Sequence, residues 1–143
     1  MKHTRMAGFT LIEIMVVVVI LGILAAVVVP EVMSRPSEAR INKAKQDIRA
    51  IDSALKLYKL DNFSYPTTQQ GIKALVVRPE GMPAGANWKK EGYIARLPND
   101  PWGKPYIYLS PGLKGAFDLY TLGADGVKGG SEENADLGNW QVD

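Results

Sequence analysis

Two hydrophobic patterns divide the chain. From Phe9 to Val29 the sequence reads FTLIEIMVVVVILGILAAVVV, and from Ile14 onward it carries no polar side chain. As a helix these 21 residues would span about 31 Å at ~1.5 Å per residue, close to the hydrocarbon thickness of a bilayer. Many are β-branched, which disfavours helix in water, but lipid forces backbone hydrogen bonds inward and so favours helix. The span is therefore expected to be a transmembrane helix; a buried element of a soluble core is the alternative, and runs this long are rare there. Lys2 and Arg5 precede it, while Arg35, Arg40, Lys43 and Lys45 follow it among Glu31, Glu38 and Asp47. Flanking charge does not fix the orientation.

Pro30 lacks an amide donor and is expected to interrupt or kink the helix, with Pro36 close behind. A second pattern then begins. Ile41, Ala44, Ile48, Ile51, Leu55 and Tyr58 alternate steps of three and four, which makes one apolar stripe of a helix from about Ser37 to Leu60. Lys43, Lys45, Asp47, Arg49, Asp52 and Lys56 fall mostly off it. The chain leaves the helix at Asp61-Asn62. Thr67 with Gln70 predicts a capping box for a short helix through about Val76. Arg78–Pro105 is a long Pro/Gly-rich connection whose Trp88, Tyr93 and Trp102 are expected to cover the core, with sugar binding the other use of such a cluster. Alternation at Tyr106–Ser110 and Phe117–Gly123 predicts two strands joined by a loose hairpin, and Asn139–Asp143 reads as a third short strand. The fold class is α+β: a long N-terminal helix laid on a small antiparallel sheet.

Composition narrows the chemistry. A chain of 143 residues holds one modest domain beside its apolar stretch. The formal net charge of +2, with Lys and Arg scattered, gives no nucleic-acid footprint. There is no cysteine, and His3 is the sole histidine, which removes thiol nucleophiles, histidine triads and the common zinc sites. There is no P-loop pattern. Glu13 is unusual, because an intramembrane carboxylate costs ~2.5–3.5 kcal/mol on insertion scales and less near an interface. Either it sits solvated at the headgroup level, or it finds a partner. The loop after Leu122 carries Asp125, Glu132, Glu133 and Asp136 among glycines. Calcium takes six to eight oxygens from such turns, but the spacing is not that of an EF-hand, and a solvated acidic turn is the simpler reading. The best small-residue junction, Ala7-Gly8, lies before the apolar run and not after it, unlike an ordinary secretory signal.

Gly8 followed by FTLIE resembles the processing site of type IV pilins and of the pseudopilins of type II secretion. The stretches YPTTQQGIKALV, LPNDPWGKPYIY and FDLYTLGADGVKGG…DLGNW extend the resemblance to the major pseudopilins over nearly the whole chain. It implies a leader at residues 1–8, a membrane and filament-core helix at 9–29 and a periplasmic domain at 30–143. Prepilin peptidase would cut between Gly8 and Phe9, and Phe9 would be N-methylated. The leader removes Lys2 and Arg5, so 17 basic residues become 15 against 15 acidic ones. Cleavage also creates an α-amino group on Phe9, which the Glu13 of a neighbouring subunit could meet; Glu13 would then be an assembly register mark. The resemblance implies structural calcium on the side chains of Asp125 and Asp136 and the carbonyls of Leu122, Val127 and Asn134, with Ser131 the other choice for the last. It implies a non-enzymatic subunit of a helical homopolymer that exports folded proteins. Its partners would be minor pseudopilins, prepilin peptidase, the inner-membrane secretion platform and, before assembly, the lipid bilayer. The rival readings are a type IV pilin for adhesion or motility, a tethered module that never polymerises, and a carboxylate hydrolase.

Overall fold

A computed structural model describes residues 8–142, with the side chains of residues 28–35 outside the description. The expected leader residues Met1–Ala7, and Asp143 of the expected last strand, lie outside the described residues. The chain divides into two units at Pro36 and Ser37. One helix, α1 (Leu11–Asn62), contributes to both.

The first unit is helical from Leu11, and the side chains described there, from Leu11 to Val27, are exposed. Exposure runs from 47% at Val17 to 77% at Leu11 among its large hydrophobic residues. The expected interruption at Pro30 does not occur, since α1 runs through Pro30 and Pro36. A proline removes one amide donor, whereas the turns on either side keep theirs, and good helix formers such as Glu31, Met33, Glu38 and Ala39 flank both prolines.

The second unit is built on the stripe. Ala44, Ile48, Ile51, Leu55 and Tyr58 are buried, with Ala54 beside them, and Ile41 packs at the margin. Against this face lie Ile72 and Leu75 of a 3-10 turn (Ile72–Leu75), together with Tyr106, Tyr108, Phe117, Leu119 and Leu137. Thr67 and Gln70 form the expected box: Thr67 N–H donates to Gln70 Oε1 at 2.9 Å and Gln70 N–H to Thr67 Oγ1 at 3.2 Å. The helix that follows is shorter than expected and of the tighter 3-10 kind.

Strands β1 (Ile107–Leu109), β2 (Asp118–Thr121) and β3 (Leu137–Gly138) form an antiparallel sheet in the order β1-β2-β3. Tyr108 stands opposite Leu119, and Thr121 opposite Leu137. The third strand therefore precedes the expected Asn139–Asp143. Gln141 N–H donates to Gly138 O at 3.0 Å, which turns the chain there. The Trp140 ring lies where a Cβ on Gly138 would stand, and Asn139 Oδ1 accepts Leu119 N–H at 3.0 Å in place of a strand carbonyl.

The long connection covers the core, as its aromatics suggest. Trp88 Nε1 donates to Ala74 O at 2.8 Å. Tyr93 lies 5.2 Å from Tyr58, centroid to centroid, and 6.2 Å from Trp88. Asn62 Nδ2, in the last turn of α1, donates to the Tyr93 hydroxyl at 2.8 Å. Asp100 pins the following turn: its Oδ1 accepts the amides of Trp102 and Lys104 at 3.1 and 2.7 Å, and its Oδ2 accepts Thr121 Oγ1–H at 2.5 Å.

Candidate functional site

Two segments carry the candidate chemistry, one in each unit. At the N-terminal end, Gly8 has open space where a Cβ would stand, and Phe9 is 80% exposed. Both precede the first helical residue, so the Gly8–Phe9 bond lies in exposed, non-helical chain. Glu13 lies in the first turn. Its N–H donates to Thr10 Oγ1 at 3.3 Å, and Thr10 N–H donates back to Glu13 Oε2 at 3.4 Å. Thr10-x-x-Glu13 is thus a second capping box, and the carboxylate also sits favourably at the positive end of the helix dipole. The Ser/Thr-x-x-Glu spacing was present in the sequence and signals this role independently of assembly. Among the described residues no helix is long and apolar enough to cross a membrane. Val28 and Val29 of the expected span fall outside the described side chains.

The C-terminal loop joins β2 to β3 and folds back on itself in two halves. Ala124 N–H donates to Glu133 O at 2.8 Å and ties the halves together. They approach closely: Gly123, at φ +67°, has Glu133 O 2.5 Å from where a Cβ would stand, and Asn134 O fills the corresponding place at Gly130. Only glycine fits these positions without displacing backbone. Asp125 Oδ1 accepts Val127 N–H at 3.0 Å, an Asx turn that leaves Oδ2 available. Asp136 Oδ2 accepts Gly129 N–H at 2.9 Å. Its other oxygen, Oδ1, is buried and has no hydrogen-bond partner. The carbonyls of Leu122, Val127 and Asn134 accept none of the backbone bonds that close the loop, whereas those of Ser131, Glu132 and Glu133 each accept one.

Among the described residues no group of three or more Asp, Glu, His or Cys side chains is placed to hold a metal. The set expected for calcium needs only two carboxylates, with backbone oxygens for the rest. The buried, unpartnered Oδ1 of Asp136 is the atom that fits a cation best, since such a group is costly without a positive partner. Glu133 is engaged elsewhere, its Oε1 accepting from Arg40 Nη1 at 3.0 Å, and Glu132 is exposed with φ +54°.

Comparison with known proteins gives the context. Residues 31–140 match the family of type II secretion system protein G, and residues 3–29 match the prokaryotic N-terminal methylation motif. The type II secretion system core protein G of Pseudomonas aeruginosa is 65% identical over 140 residues, covering 98% of this chain and 99% of that one. Its counterpart from Vibrio cholerae is 55% identical over 141 residues, with 99% and 96% covered. The crystal structure of the major pseudopilin from the type 2 secretion system of enterohaemorrhagic Escherichia coli matches with a TM-score of 0.67 at 41% identity, over 78% of this chain and 91% of that one. These matches support the secretion pseudopilin over the type IV pilin, and a structural subunit over an enzyme. They imply a membrane-anchored periplasmic place and assembly with itself and with other secretion components. The chain belongs to the protein G family of the type II secretion system, the pseudopilins.

Proposed function

We propose that the chain is made as a precursor, cut by prepilin peptidase between Gly8 and Phe9, N-methylated on Phe9, and polymerised into a periplasmic filament that moves folded proteins outward. Residues 9–29 hold the subunit in the inner membrane as a single pass before assembly and form the filament core afterwards. As these apolar side chains leave lipid, burial against neighbouring helices replaces the bilayer contact. The Glu13 carboxylate of one subunit meets the Phe9 amine of the next; low dielectric strengthens that pair and desolvation opposes it. Minor pseudopilins, the inner-membrane platform and a separate cytoplasmic ATPase complete the machine. The observation that carries this reading is the methylation motif over residues 3–29, with Gly8-Phe9 just outside the helix and Glu13 in its first turn, leading directly into the family match that begins at residue 31.

Calcium is the structural metal of this reading. Asp125 and Asp136 would hold it with their side chains, and Leu122, Val127 and Asn134 with their carbonyls. It would supply positive charge to two carboxylates and fix the two halves of a glycine-rich loop, whose ordering entropy is otherwise high. The unpaired Asp136 Oδ1 supports this set.

The processing step is tested by mass spectrometry of the chain recovered from membranes. The mass of Phe9–Asp143 plus one methyl group is expected, and an uncut chain would refute the proposal. Assembly is tested with Glu13→Gln and Glu13→Val. Glutamine keeps the capping box and removes the charge; valine removes both. If the charge sets the register, both variants lose cross-linked ladders and secretion. If Glu13 only caps the helix, Glu13→Gln assembles normally.

A further inference from the structure

Two basic side chains reach the C-terminal loop from elsewhere in its unit. Lys104 Nζ donates to Ala124 O at 3.1 Å and holds the first half. Arg40 Nη1 donates to Glu133 Oε1 at 3.0 Å and holds the second. Arg40 and Glu133 are 93 residues apart in sequence, so this ion pair is a long-range tie between the start of the unit's helix and the loop.

Glu133 is a strategic place for such a tie. Its side chain takes the guanidinium, while its backbone carbonyl accepts Ala124 N–H and joins the two halves. Asn134, next in sequence, offers the carbonyl expected to ligate calcium, and the residue before Glu133, Glu132, has a positive φ that few non-glycine residues adopt. Displacing Glu133 therefore disturbs both halves of the loop together. The same pair engages the Glu133 carboxylate, so the donor set expected for calcium draws its carboxylates from Asp125 and Asp136. Of the other charges on the helix, Lys43 pairs with Asp47 at 2.6 Å, and Arg49 donates to Val142 O at 2.5 Å.

We propose that Arg40 is a positioning residue for the metal loop, and that its pair with Glu133 couples calcium occupancy to the order of the helix around residues 38–45. The inference rests on the calcium reading above. Linkage makes the coupling reciprocal: what favours the pair tightens calcium, and calcium tightens the pair. Both side chains are partly exposed, at 50% and 29%. A pair of that kind shifts an equilibrium about two- to fivefold, and less at high salt.

The test uses the full chain in detergent micelles, titrated calorimetrically with calcium chloride and with magnesium chloride as control. Arg40→Ala and Glu133→Gln should each weaken calcium binding about two- to fivefold, and the double variant should be no worse than the weaker single. Hydrogen exchange read by mass spectrometry supplies the second measurement. In the unaltered chain calcium should slow exchange at residues 38–45 as well as in the loop. In either variant the loop should still be protected while the helix no longer responds. The coupling is overturned if the unaltered chain binds calcium but the single variants bind as tightly, or lose affinity additively, or keep the helix response. An unaltered chain that binds no calcium overturns the metal site itself, and the coupling with it.

Discussion

Asp136→Asn separates the metal site from the fold. In the protein, Asp136 Oδ2 accepts Gly129 N–H at 2.9 Å, and Oδ1 is buried without a partner. An asparagine keeps the shape and an oxygen for Gly129, and it removes the charge. A buried carboxylate without a cation costs more than a buried neutral amide, so in EDTA the variant should be as stable as the unaltered chain or slightly more so. Calcium reverses the order. At a concentration ~100 times the dissociation constant, a ligand bound only by the folded state adds about 2.7 kcal/mol. For a unit of about 100 residues that raises the midpoint by roughly 10–20 °C. Thermal unfolding of the full chain in detergent, followed by near-ultraviolet circular dichroism, measures this in EDTA, in magnesium and in calcium. The unaltered chain should gain the shift in calcium alone, and Asp136→Asn should lose most of it. A variant that keeps the full calcium shift refutes the ligand assignment. One that is equally destabilised in all three conditions makes Asp136 a purely structural residue.

Three further outcomes follow from the core and the loop. Leu55→Ala, at a fully buried position on the stripe, should cost about 2–5 kcal/mol in denaturant unfolding; a loss below about 1 kcal/mol would mean that the helix does not pack on the sheet as described. Gly123→Ala combines φ +67° with a Cβ 2.5 Å from Glu133 O and should cost about 1–3 kcal/mol, with hydrogen exchange accelerated across the loop; unchanged exchange would show that the two halves are not in contact. Burial pushes the Tyr108 hydroxyl up to about 12, and burial with the nearby Asp47 carboxylate pushes Tyr106 up further. Both raised values favour the neutral phenol in the folded state, so this stability is fully present below about pH 10 and is lost as pH rises from there toward 12, at about 1.4 kcal/mol per pH unit for each tyrosine. Unfolding midpoints that stay flat from pH 9.5 to 11.5 would contradict the burial of these rings.

Much of the fold was legible because it rests on repeating patterns. The three-and-four spacing from Ile41 to Tyr58 identified the buried face of α1 residue by residue, and the alternation in β1 and β2 located their pairing. What escaped was local. Pro30 was expected to interrupt or kink the helix, and α1 is not interrupted there, because one missing bond does not end a helix whose neighbouring turns are intact. The last strand was displaced to Leu137–Gly138, because Asn139 supplies a side-chain oxygen where a strand would supply a carbonyl, and no periodicity reports that substitution. The Arg40–Glu133 tie was invisible for a different reason. It joins a residue on the polar face of the helix to one in a glycine-rich loop, and neither position carries a pattern.

Glu13 shows how one residue can satisfy two physical demands. Its side chain answers Thr10 within the first turn, a bond available to the isolated chain, so its presence does not by itself require a partner. Yet a capping box needs only an acceptor, which glutamine provides without a charge to bury. At the edge of an apolar run of this length, a carboxylate is the costlier way to cap a helix. The helix dipole offsets part of that cost, and the group that cleavage at Gly8 would create, the Phe9 amine, would be a cation one helical turn away in sequence that a neighbouring subunit's carboxylate could meet. Capping explains why an acceptor stands at position 13 and the dipole favours an acidic one, so only the contrast between Glu13→Gln and Glu13→Val in assembly separates a charge used between subunits from one used within the helix.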